Sequence, residues 1–402
     1  MDLTAYKIWL LLQIKQPSQH EGLAENIKQL ARETGFDYCG ITAPKVPIRD
    51  VAALQGWVDA GMQADMAWMA EAVRLARRKD PASLLDGVCS VISVGLRYTP
   101  PQQVVAGGGS SRGMISAYAA GDDYHVVMKK RLKVLARGLD DLLGRHDQRV
   151  FVDTAPVLEH VLAAGGGVGW QGKHSLTLNR DGGSWLLLGE LFTTAKLPPD
   201  APASGHCGSC THCIDGCPTN AIVAPYIIDA NLCLSFITIE YSGVIPRELR
   251  QVMGARIYGC DDCQMVCPWS DKTEAVMDDL LRPRAQNIAP LLSDILQLDV
   301  VGFRHHFSQS PIKRTGRTRL LRNACVAAGN SGDADLVVLL FALLDDAAAL
   351  IRGHAVWALA RLRAVADAPT IDARLEGLRS KEADRMVQQE LAWALDGQAD
   401  GF

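Results

Sequence analysis

Cysteine is the residue type whose spacing most clearly indicates chemistry in this chain of 402 residues. Eight of the eleven cysteines lie between residues 207 and 267. The first four form a Cys-x2-Cys-x2-Cys-x3-Cys-Pro run that consists of Cys207, Cys210, Cys213, Cys217 and Pro218. The end of that run is repeated by Cys260, Cys263, Cys267 and Pro268, while Ile257 occupies the position of the missing first cysteine. Cys233, between the two runs, can supply the eighth thiolate.

Runs of this kind are typical of bacterial ferredoxins with two 4Fe-4S clusters, in which the last cysteine of a run binds the other cluster. The crossed pairing predicts that one cluster is bound by Cys207, Cys210, Cys213 and Cys267. The other is then bound by Cys217, Cys233, Cys260 and Cys263. Structural zinc sites also use Cys-x2-Cys pairs, but a Cys-x2-Cys-x3-Cys-Pro ending that occurs twice favours clusters. Two neighbouring clusters would conduct single electrons.

The other three cysteines, Cys39, Cys89 and Cys325, sit in apolar sequence contexts, and we predict them to be buried bystanders. Clustering of the remaining eight favours metal binding over disulfides and a reducing cytoplasm over an oxidising compartment. The apolar residues 6–14 are too few to span a bilayer, and no signal peptide is predicted. A formal net charge of −4 gives no overall attraction to RNA or to a membrane, so any such binding needs a local patch.

The elements that must position these thiols suggest an α+β chain of several segments. Residues 1–20 are interpreted as an N-terminal extension, and residues 21–199 as an α/β domain in which strand-like runs alternate with helical stretches. Proline and glycine near residue 200 mark a boundary, so residues 200–283 are assigned to a ferredoxin-like domain. Residues 284–402 are rich in Leu and Ala with helical periodicity. A weak repeat there, with tryptophans 36 positions apart, predicts HEAT-like helical repeats.

Several motifs outside the cysteine runs resemble those of the epoxyqueuosine reductase family. They are GDDYH at 121–125, VDTAP at 152–156, GWQGKHSL at 169–176 and IYGCDDCQMVCPW at 257–269. The resemblance covers nearly the whole chain after residue 21. It implies a cobalamin-dependent enzyme that reduces epoxyqueuosine to queuosine at the wobble position of tRNA anticodons, the last step of queuosine synthesis. It also implies that the N-terminal domain, related to that of reductive dehalogenases, holds the cobalamin and that the two clusters reduce its cobalt.

The same resemblance points to Asp153 as the general acid. Because a carboxyl must be neutral before it donates a proton, we expect burial to raise the pKa of Asp153. The alternative is a helix-capping aspartate before the Thr-Ala-Pro turn. The resemblance also places Arg78, Ser116 and His174 with Asp153 near the cobalamin, although each could instead have an ordinary structural role. His160 departs from the family, which commonly has arginine at that position.

A basic stretch in the C-terminal region is predicted to face RNA. The segment from Arg304 to Arg322 contains no acidic residue, and this is an electrostatic footprint for phosphate on an otherwise acidic protein. The candidate contacts are Lys313, Arg314, Arg317, Arg319 and Arg322. The expected partners are a tRNA with a GUN anticodon (Tyr, His, Asn or Asp) and an electron-donor protein. A monomer without membrane contact is expected.

Two other functions remain open at the level of the sequence. A corrinoid and iron-sulfur reductase that acts on a small molecule, like a reductive dehalogenase, would share the clusters and the acid but would have no use for the basic helical tail. An electron-transfer module without cobalamin would need neither Asp153 nor the long N-terminal domain. The presence of a bound corrinoid separates this last possibility from the other two.

Overall fold

The structure of the protein is a computed structural model that describes residues 19–98, 111–271 and 278–396. Most of the predicted N-terminal extension lies outside the described residues, and its last two positions belong to the first helix.

In its described residues, the N-terminal region combines six helices with seven strands. The helices are α1 (Gln19–Glu33), α2 (Ile48–Asp59), α3 (Ala67–Ala70), α4 (Ala72–Lys79), α5 (Tyr124–Leu143) and α6 (Glu159–Gly165). The strands are β1 (Tyr38–Thr42), β2 (Ser90–Arg97), β3 (Met114–Ile115), β4 (Gln148–Phe151), β5 (Trp170–Gln171), β6 (Thr177–Leu178) and β7 (Leu186–Thr193). The apolar runs that the sequence marks as strands correspond to β2, β4 and β7.

Four of these strands form the central sheet in the order β1-β2-β7-β4. All three neighbouring pairs are antiparallel. Every residue of β7 is buried, as expected for a strand covered on both faces. The chain is therefore of mixed α+β type, with an antiparallel sheet where a parallel one would have indicated α/β.

Helix α5 packs one face on this sheet through Val127, Leu132, Leu135 and Leu139. Val126 is exposed on the opposite side of the helix, and the neighbouring Val127 is buried. Asp123 caps the helix by accepting the N–H of His125 at 3.1 Å. This cap fixes where the helix begins, and the functional side chains described below lie at this end.

The part of the cysteine segment that the structure describes has four helices of four to six residues and three strands. The helices are α7 (His212–Asp215), α8 (Leu234–Ile239), α9 (Arg247–Val252) and α10 (Asp262–Met265). The strands are β8 (Ile222–Ala224), β9 (Ile227–Ile228) and β10 (Arg256–Tyr258). Strand β10 pairs in parallel with β3, which joins this segment to the N-terminal region.

The C-terminal region is helical. Its helices are α11 (Leu292–Leu296), α12 (Val300–His306), α13 (Gly316–Ser331), α14 (Val337–Leu343), α15 (Ala349–Leu362), α16 (Ala368–Arg379) and α17 (Arg385–Asp396). Short 3-10 helices occur at Pro81–Leu84, Ala117–Ala119, Ala285–Asn287, Pro311–Arg314 and Ala334–Leu336. Helix α15 packs between α13 and α17, but the assignment to HEAT-like repeats stays a prediction.

The hydrophobic cores only partly follow the predicted domains. One core joins the central sheet to helices α1 and α5, and its members lie almost entirely before residue 200. A second core is continuous from Ala230 in the cysteine segment to Ala394 in the last helix. The division near residue 284 is therefore not a boundary between cores. Within the described residues, no helix is both long and apolar enough to cross a membrane.

Candidate active site and cluster centre

The eight thiols of the cysteine segment lie in two groups. Cys213 interacts most closely with Cys267, Cys207 and Cys210. Cys263 interacts most closely with Cys260 and Cys233, and Cys233 in turn lies near Cys217. The crossed pairing would need this grouping of the thiols, and the assignment of each thiol to a cluster stays a prediction. Cys263 also lies near Cys213, so the two groups adjoin.

The first group surrounds a cavity of about 330 Å³, which Cys207, Cys210, Cys213 and Cys267 line together with Lys173, His174, Leu178, His212, Pro268 and Trp269. Among the residues that the structure describes, no three His, Cys, Asp or Glu side chains converge closely enough to hold a single metal ion. Thiolates spread around a cavity are the arrangement that a multi-atom cluster requires. The thiols therefore fit the predicted cluster.

Backbone N–H groups point at several of these sulfurs. The N–H of Ala221 donates to Sγ of Cys217 at 3.2 Å, and the amides of Ser235 and Phe236 donate to Cys233. At Cys233 burial outweighs these bonds and raises the pKa of the thiol, and burial also raises the pKa of the Cys260 thiol to about 12. Iron displaces these protons when it binds, because the thiolate is the ligand.

The three cysteines outside the cluster segment have different environments. Cys325 is fully buried in α13, as predicted, and burial raises its pKa. Cys39 is half-buried, and burial raises its pKa to about 12. The prediction that Cys89 is buried is wrong, since its side chain is exposed just before β2.

A chain of hydrogen-bonded ionic side chains leads from the surface to Asp153. Nη2 of Arg314 donates to the Asp123 carboxylate at 2.8 Å. The other oxygen of Asp123 lies 2.7 Å from Nδ1 of His125, and Nε2 of His125 lies 3.0 Å from the Asp153 carboxylate. The Tyr124 hydroxyl also hydrogen-bonds Asp153. Asp153 itself remains 56% exposed, so it is held in place but can still reach a ligand.

This arrangement stabilises the charged forms. Burial alone would raise the pKa of Asp153, but the hydrogen bond and charge of His125 hold it below its usual range. Burial would lower the pKa of His125, but Asp123 and Asp153 raise it above its usual value. Hydrogen bonds from His125 and Arg314 likewise outweigh burial and lower the pKa of Asp123 to about 2. The expectation that burial raises the pKa of Asp153 is therefore wrong for the free protein, in which the proton resides on His125.

Backbone geometry also singles out Asp153. Its φ of 53° lies in the left-handed region, which costs a non-glycine residue about 1 kcal/mol or more. The Asp153 N–H donates to Oε1 of Glu159 at 2.6 Å. The predicted alternative, a helix cap, is not seen, since the N-cap of α6 is Leu158 and no side chain caps it.

Among the predicted cofactor contacts, Arg78 and His174 have unsatisfied buried nitrogens. Nη1 of Arg78 has no hydrogen-bond partner in the described residues, although the guanidinium lies 5.3 Å from the Trp68 ring. His174 is 1% exposed and accepts the Leu176 N–H at Nδ1, which leaves Nε2 as a buried donor without a partner among the described residues. Buried donors without partners fit a bound polar group.

Ser116 has a different environment from the one expected of a cofactor contact. Its buried hydroxyl donates to the carboxylate of Asp261, which lies between two cysteines of the second group. Gly259 permits this approach, because a Cβ there would lie 2.4 Å from the Cβ of Ser116. The hydroxyl is thus engaged within the protein, and a role of Ser116 in cofactor binding stays a prediction.

His160, the position that departs from the family resemblance, is half-buried and neutral. Its Nδ1 lies 2.8 Å from the Thr177 hydroxyl, and burial lowers its pKa to about 4. It interacts electrostatically with Asp153 on one side and with His174 on the other. His160 therefore links the region of the acid to the wall of the first cysteine cavity.

Only part of the predicted RNA-facing patch is accessible. The prediction for Arg322 is wrong, because this guanidinium is fully buried and donates to the backbone carbonyls of Tyr241, Gly243 and Ile237. Burial lowers its pKa to about 9. Arg319 is half-buried and also binds backbone carbonyls, and Arg317 pairs with Asp346 at 2.7 Å.

Lys313 and Arg314 are the exposed members of the five, and Arg314 is 49% exposed although it pairs with Asp123. The absence of acids within the segment did not predict accessible arginines. Acids from other elements pair with Arg314 and Arg317, and backbone carbonyls bind Arg319 and Arg322. Two exposed cations beside the Asp153 site remain as the predicted RNA contacts.

Sequence reasoning missed several residues of this site. His125, Asp123 and Tyr124 were noticed only as part of the GDDYH motif, and Glu159 was not singled out. Two consecutive acids and a histidine at the start of a helix offered a signal, since this pattern suits a capped helix end with an ionisable neighbour. The signal could not reveal that His125 meets Asp153, which lies 28 positions away.

Comparison with known protein families identifies two segments of the chain. Residues 206–270 match the family described as a 4Fe-4S double cluster binding domain. This segment is therefore a binding domain for two 4Fe-4S clusters. Residues 78–154 match the family described as epoxyqueuosine reductase QueG, DUF1730.

Relatives named epoxyqueuosine reductase match most of this chain and most of their own length. An epoxyqueuosine reductase of Xanthomonas campestris pv. campestris is 41% identical over 342 residues, which cover 84% of this chain and 96% of the relative. That of Escherichia coli (strain K12) is 39% identical over 350 residues, covering 87% and 92%.

Solved structures of epoxyqueuosine reductases have a fold similar to that of this chain. A crystal structure of epoxyqueuosine reductase with an epoxyqueuosine-modified tRNA-Tyr stem loop has a TM-score of 0.87 at 28% identity and covers 93% of this chain and 98% of that one. The structure of epoxyqueuosine reductase from Streptococcus thermophilus has a TM-score of 0.85 at 28% identity, with the same coverage.

Proposed function

The chain belongs to the epoxyqueuosine reductase family, and from that premise we propose that it reduces epoxyqueuosine in tRNA to queuosine. The observation that carries the proposal is the Asp153 carboxylate, held by His125 and Tyr124 yet open to a ligand. The reaction breaks both C–O bonds of the epoxide, forms a carbon-carbon double bond, consumes two electrons and two protons, and releases water. Asp153 is the donor of one of those protons.

Proton transfer from Asp153 requires that it first gain a proton. His125, which carries a proton in the free protein, lies 3.0 Å away and is the nearest source. Asp123 orients the imidazole through Nδ1, and Arg314 holds Asp123. A bound substrate that covers Asp153 would disfavour its charged form and move the proton from imidazole to carboxylate. The acid would thus become competent when the nucleoside is in place.

Arg78 and His174 would help to hold the cobalamin, and the eight cysteines would hold the clusters. The unsatisfied nitrogens of Arg78 and His174 suit polar groups at the edge of a corrin, and His160 lies between Asp153 and His174. When bound, cobalamin would supply an electron-rich metal for the reduction, and the clusters would supply single electrons. The protein's contribution is to hold Asp153 in place beside the bound substrate and to limit access of water.

Finer features of the proposal concern the substrate and its surroundings. We propose tRNAs with a GUN anticodon, for Tyr, His, Asn and Asp, as substrates, bound in part through Lys313 and Arg314. The helices of residues 284–402 would act as HEAT-like repeats that complete the tRNA surface, and the N-terminal domain would share its origin with reductive dehalogenases. A separate protein would donate electrons, and the enzyme would work as a monomer in the cytoplasm.

The test is an anaerobic assay of the protein loaded with cobalamin, using a stem loop that carries epoxyqueuosine and a strong chemical reductant. We expect conversion to queuosine that depends on cobalamin and is largely lost in Asp153→Asn. If both clusters and a corrinoid are bound but no conversion occurs, the protein is a corrinoid reductase for a small molecule. If no corrinoid binds at all, the proposal fails in favour of an electron-transfer module.

A further inference from the structure

Two carboxyl groups, the half-buried Glu159 and the fully buried Glu190, lie behind the Asp153 loop and have no part in the chemistry described so far. Glu159 is the first residue of α6, six positions after Asp153. Glu190 lies in the middle of β7, where it is opposite Phe151 of β4 on one side and Ser93 of β2 on the other. Glu190 is fully buried, which is rare for glutamate in the interior of a sheet.

Glu190 has unusual surroundings for an acid. Neither of its oxygens accepts a hydrogen bond from an N–H or O–H donor within the described residues. The neighbouring Ser93 hydroxyl is also buried without a partner in that part of the chain. Among the described residues, the Glu159 carboxyl is the polar group that lies close enough to Glu190 to form a hydrogen bond once a proton is present. Two carboxyl groups can form a hydrogen bond only if one carries a proton, because two carboxylates in contact repel each other.

The electrostatic surroundings favour that shared proton. Burial is the main cause that raises the pKa of Glu190 well above its usual value, and Glu159 adds to it. Burial, together with the negative charge of Asp153, raises the pKa of Glu159 to about 7. His125 acts on Glu159 in the opposite sense, but more weakly. His160 follows Glu159 in α6 and is itself neutral.

The pair reaches the candidate acid through the backbone. Oε1 of Glu159 accepts the N–H of Asp153 at 2.6 Å, a short bond of the kind formed with an ionised acceptor. Asp153 is the residue whose φ of 53° bends the loop. Glu190, anchored in the central sheet, would therefore hold Glu159, and Glu159 would hold the bend from which the Asp153 side chain projects.

We propose that Glu159 and Glu190 share one proton and that this carboxyl pair is a positioning device that fixes Asp153 in its bent loop. Glu190 carries the proton and donates to Glu159, whose negative charge then strengthens the bond from the Asp153 N–H. The positioning role rests on the proposed function of Asp153. The shared proton does not, and it can be tested without any turnover.

Infrared spectroscopy tests the shared proton. At about pH 8 ordinary carboxyl groups are ionised, so a carbonyl-stretch band that shifts in D2O reports a protonated carboxyl. We expect the purified protein with its clusters to show such a band, and Glu190→Gln to remove it. Glu248→Gln is the control, because Glu248 is an exposed glutamate in the first turn of α9 and the band should remain. A band that survives in Glu190→Gln, or that is absent in the unsubstituted protein, would overturn the proposal.

Kinetics test the positioning role. The amide of Glu190→Gln can still donate to Glu159, so kcat should stay within about threefold of the unsubstituted enzyme. Glu190→Leu cannot donate, and we expect kcat to fall by about tenfold or more with KM for the stem loop little changed, because the acid is misplaced. Equal activity of the two variants would refute positioning.

The two tests are independent. Iron content and corrinoid binding of each variant establish that it folds, and if Glu190→Leu does not, the infrared comparison of Glu190→Gln with Glu248→Gln still decides whether the proton is shared. If the enzyme proves inactive on epoxyqueuosine, the kinetic test falls with the proposed function while the infrared result stands.

Discussion

The cysteine segment and the Asp153 site differ in the sequence distance between their parts. Seven of the eight cluster thiols belong to two short runs, and each run carries most of its own geometry. The Asp153 site instead draws on the start of α5, the end of β4 and a C-terminal 3-10 helix, and Arg314 lies 191 positions from the Asp123 that it holds. A cluster site can therefore be encoded by local spacing, whereas this acid site depends on the complete fold.

The two sites also treat ionisable groups in opposite ways. Burial raises the pKa values of the Cys213 and Cys263 thiols, which become anionic when they bind metal. Asp153 is anionic without any ligand, because His125 and Tyr124 stabilise its charge. Loading with metal is thus decisive in the first region, and the location of a proton is decisive in the second.

The largest effect is expected from removal of a cluster ligand. Cys263→Ser should leave one cluster in place of two and abolish turnover, since electrons could no longer pass through both. Iron analysis and electron paramagnetic resonance of the reduced protein measure the loss. The control is Cys89→Ser, an exposed cysteine outside both groups, which should retain full iron content. Full iron content in Cys263→Ser would break the assignment of the second group.

Loss of the acid should come next. Asp153→Asn keeps the side-chain shape but cannot donate a carboxyl proton, and we expect kcat to fall by about 10²- to 10⁴-fold. Single-turnover conversion of the modified stem loop is the measurement, with iron content as the control. A variant that turns over at nearly the normal rate would remove Asp153 from the mechanism.

A substitution at the buried Arg322 tests whether this arginine stabilises the fold or binds RNA. Arg322→Met would leave the carbonyls of Tyr241, Gly243 and Ile237 without their donor, so we expect the free energy of unfolding to fall by about 3 kcal/mol. Thermal unfolding measures this. Arg304→Met, at an exposed arginine, should change stability little. If tRNA affinity falls in Arg322→Met while stability is unchanged, Arg322 binds RNA as the sequence predicted.

The pH dependence sharpens the difference in proton location. The pKa of His125 is raised, so its charge and its stabilising pair with Asp153 are present at low and neutral pH and are lost as pH rises through the raised pKa. Activity should therefore decline on the alkaline side. His125→Gln should lower kcat by about tenfold and move that decline to lower pH, because Asp153 then loses its proton source. An unchanged pH profile would exclude His125 as the source.

The smallest effect concerns RNA affinity. Lys313→Gln removes one exposed cation, and we expect binding of the stem loop to weaken by about 1 kcal/mol with a shallower dependence on salt. Arg319→Gln serves as the comparison within the same patch, since Arg319 binds backbone carbonyls and should leave the salt dependence unaltered. Identical salt dependence in Lys313→Gln and the unsubstituted protein would show that Lys313 does not contact the RNA.

The sequence predicted what local spacing and periodicity determine. The cysteine grouping, the strands β2, β4 and β7, and helix α5 follow from such patterns. Asp153 was found only through a family motif, and its ionisation was predicted with the wrong sign, because its partner His125 is brought to it by packing of α5 on the sheet. Arg322 was misassigned for the same reason, since the carbonyls that bind it come from a segment about 80 positions earlier.

The continuous core from Ala230 to Ala394 makes the cysteine segment and the C-terminal helices depend on each other for folding. Asn323 of α13 donates to the carbonyls of Thr238 and Ile257, which flank the second cysteine group, and Arg250 of α9 pairs with Glu390 of α17. The cluster segment is therefore not expected to fold when it is moved into another protein without the C-terminal helices. A chimera that exchanged only residues 206–270 would cut through one core, so the cluster domain and the helical tail are expected to be inherited and exchanged together.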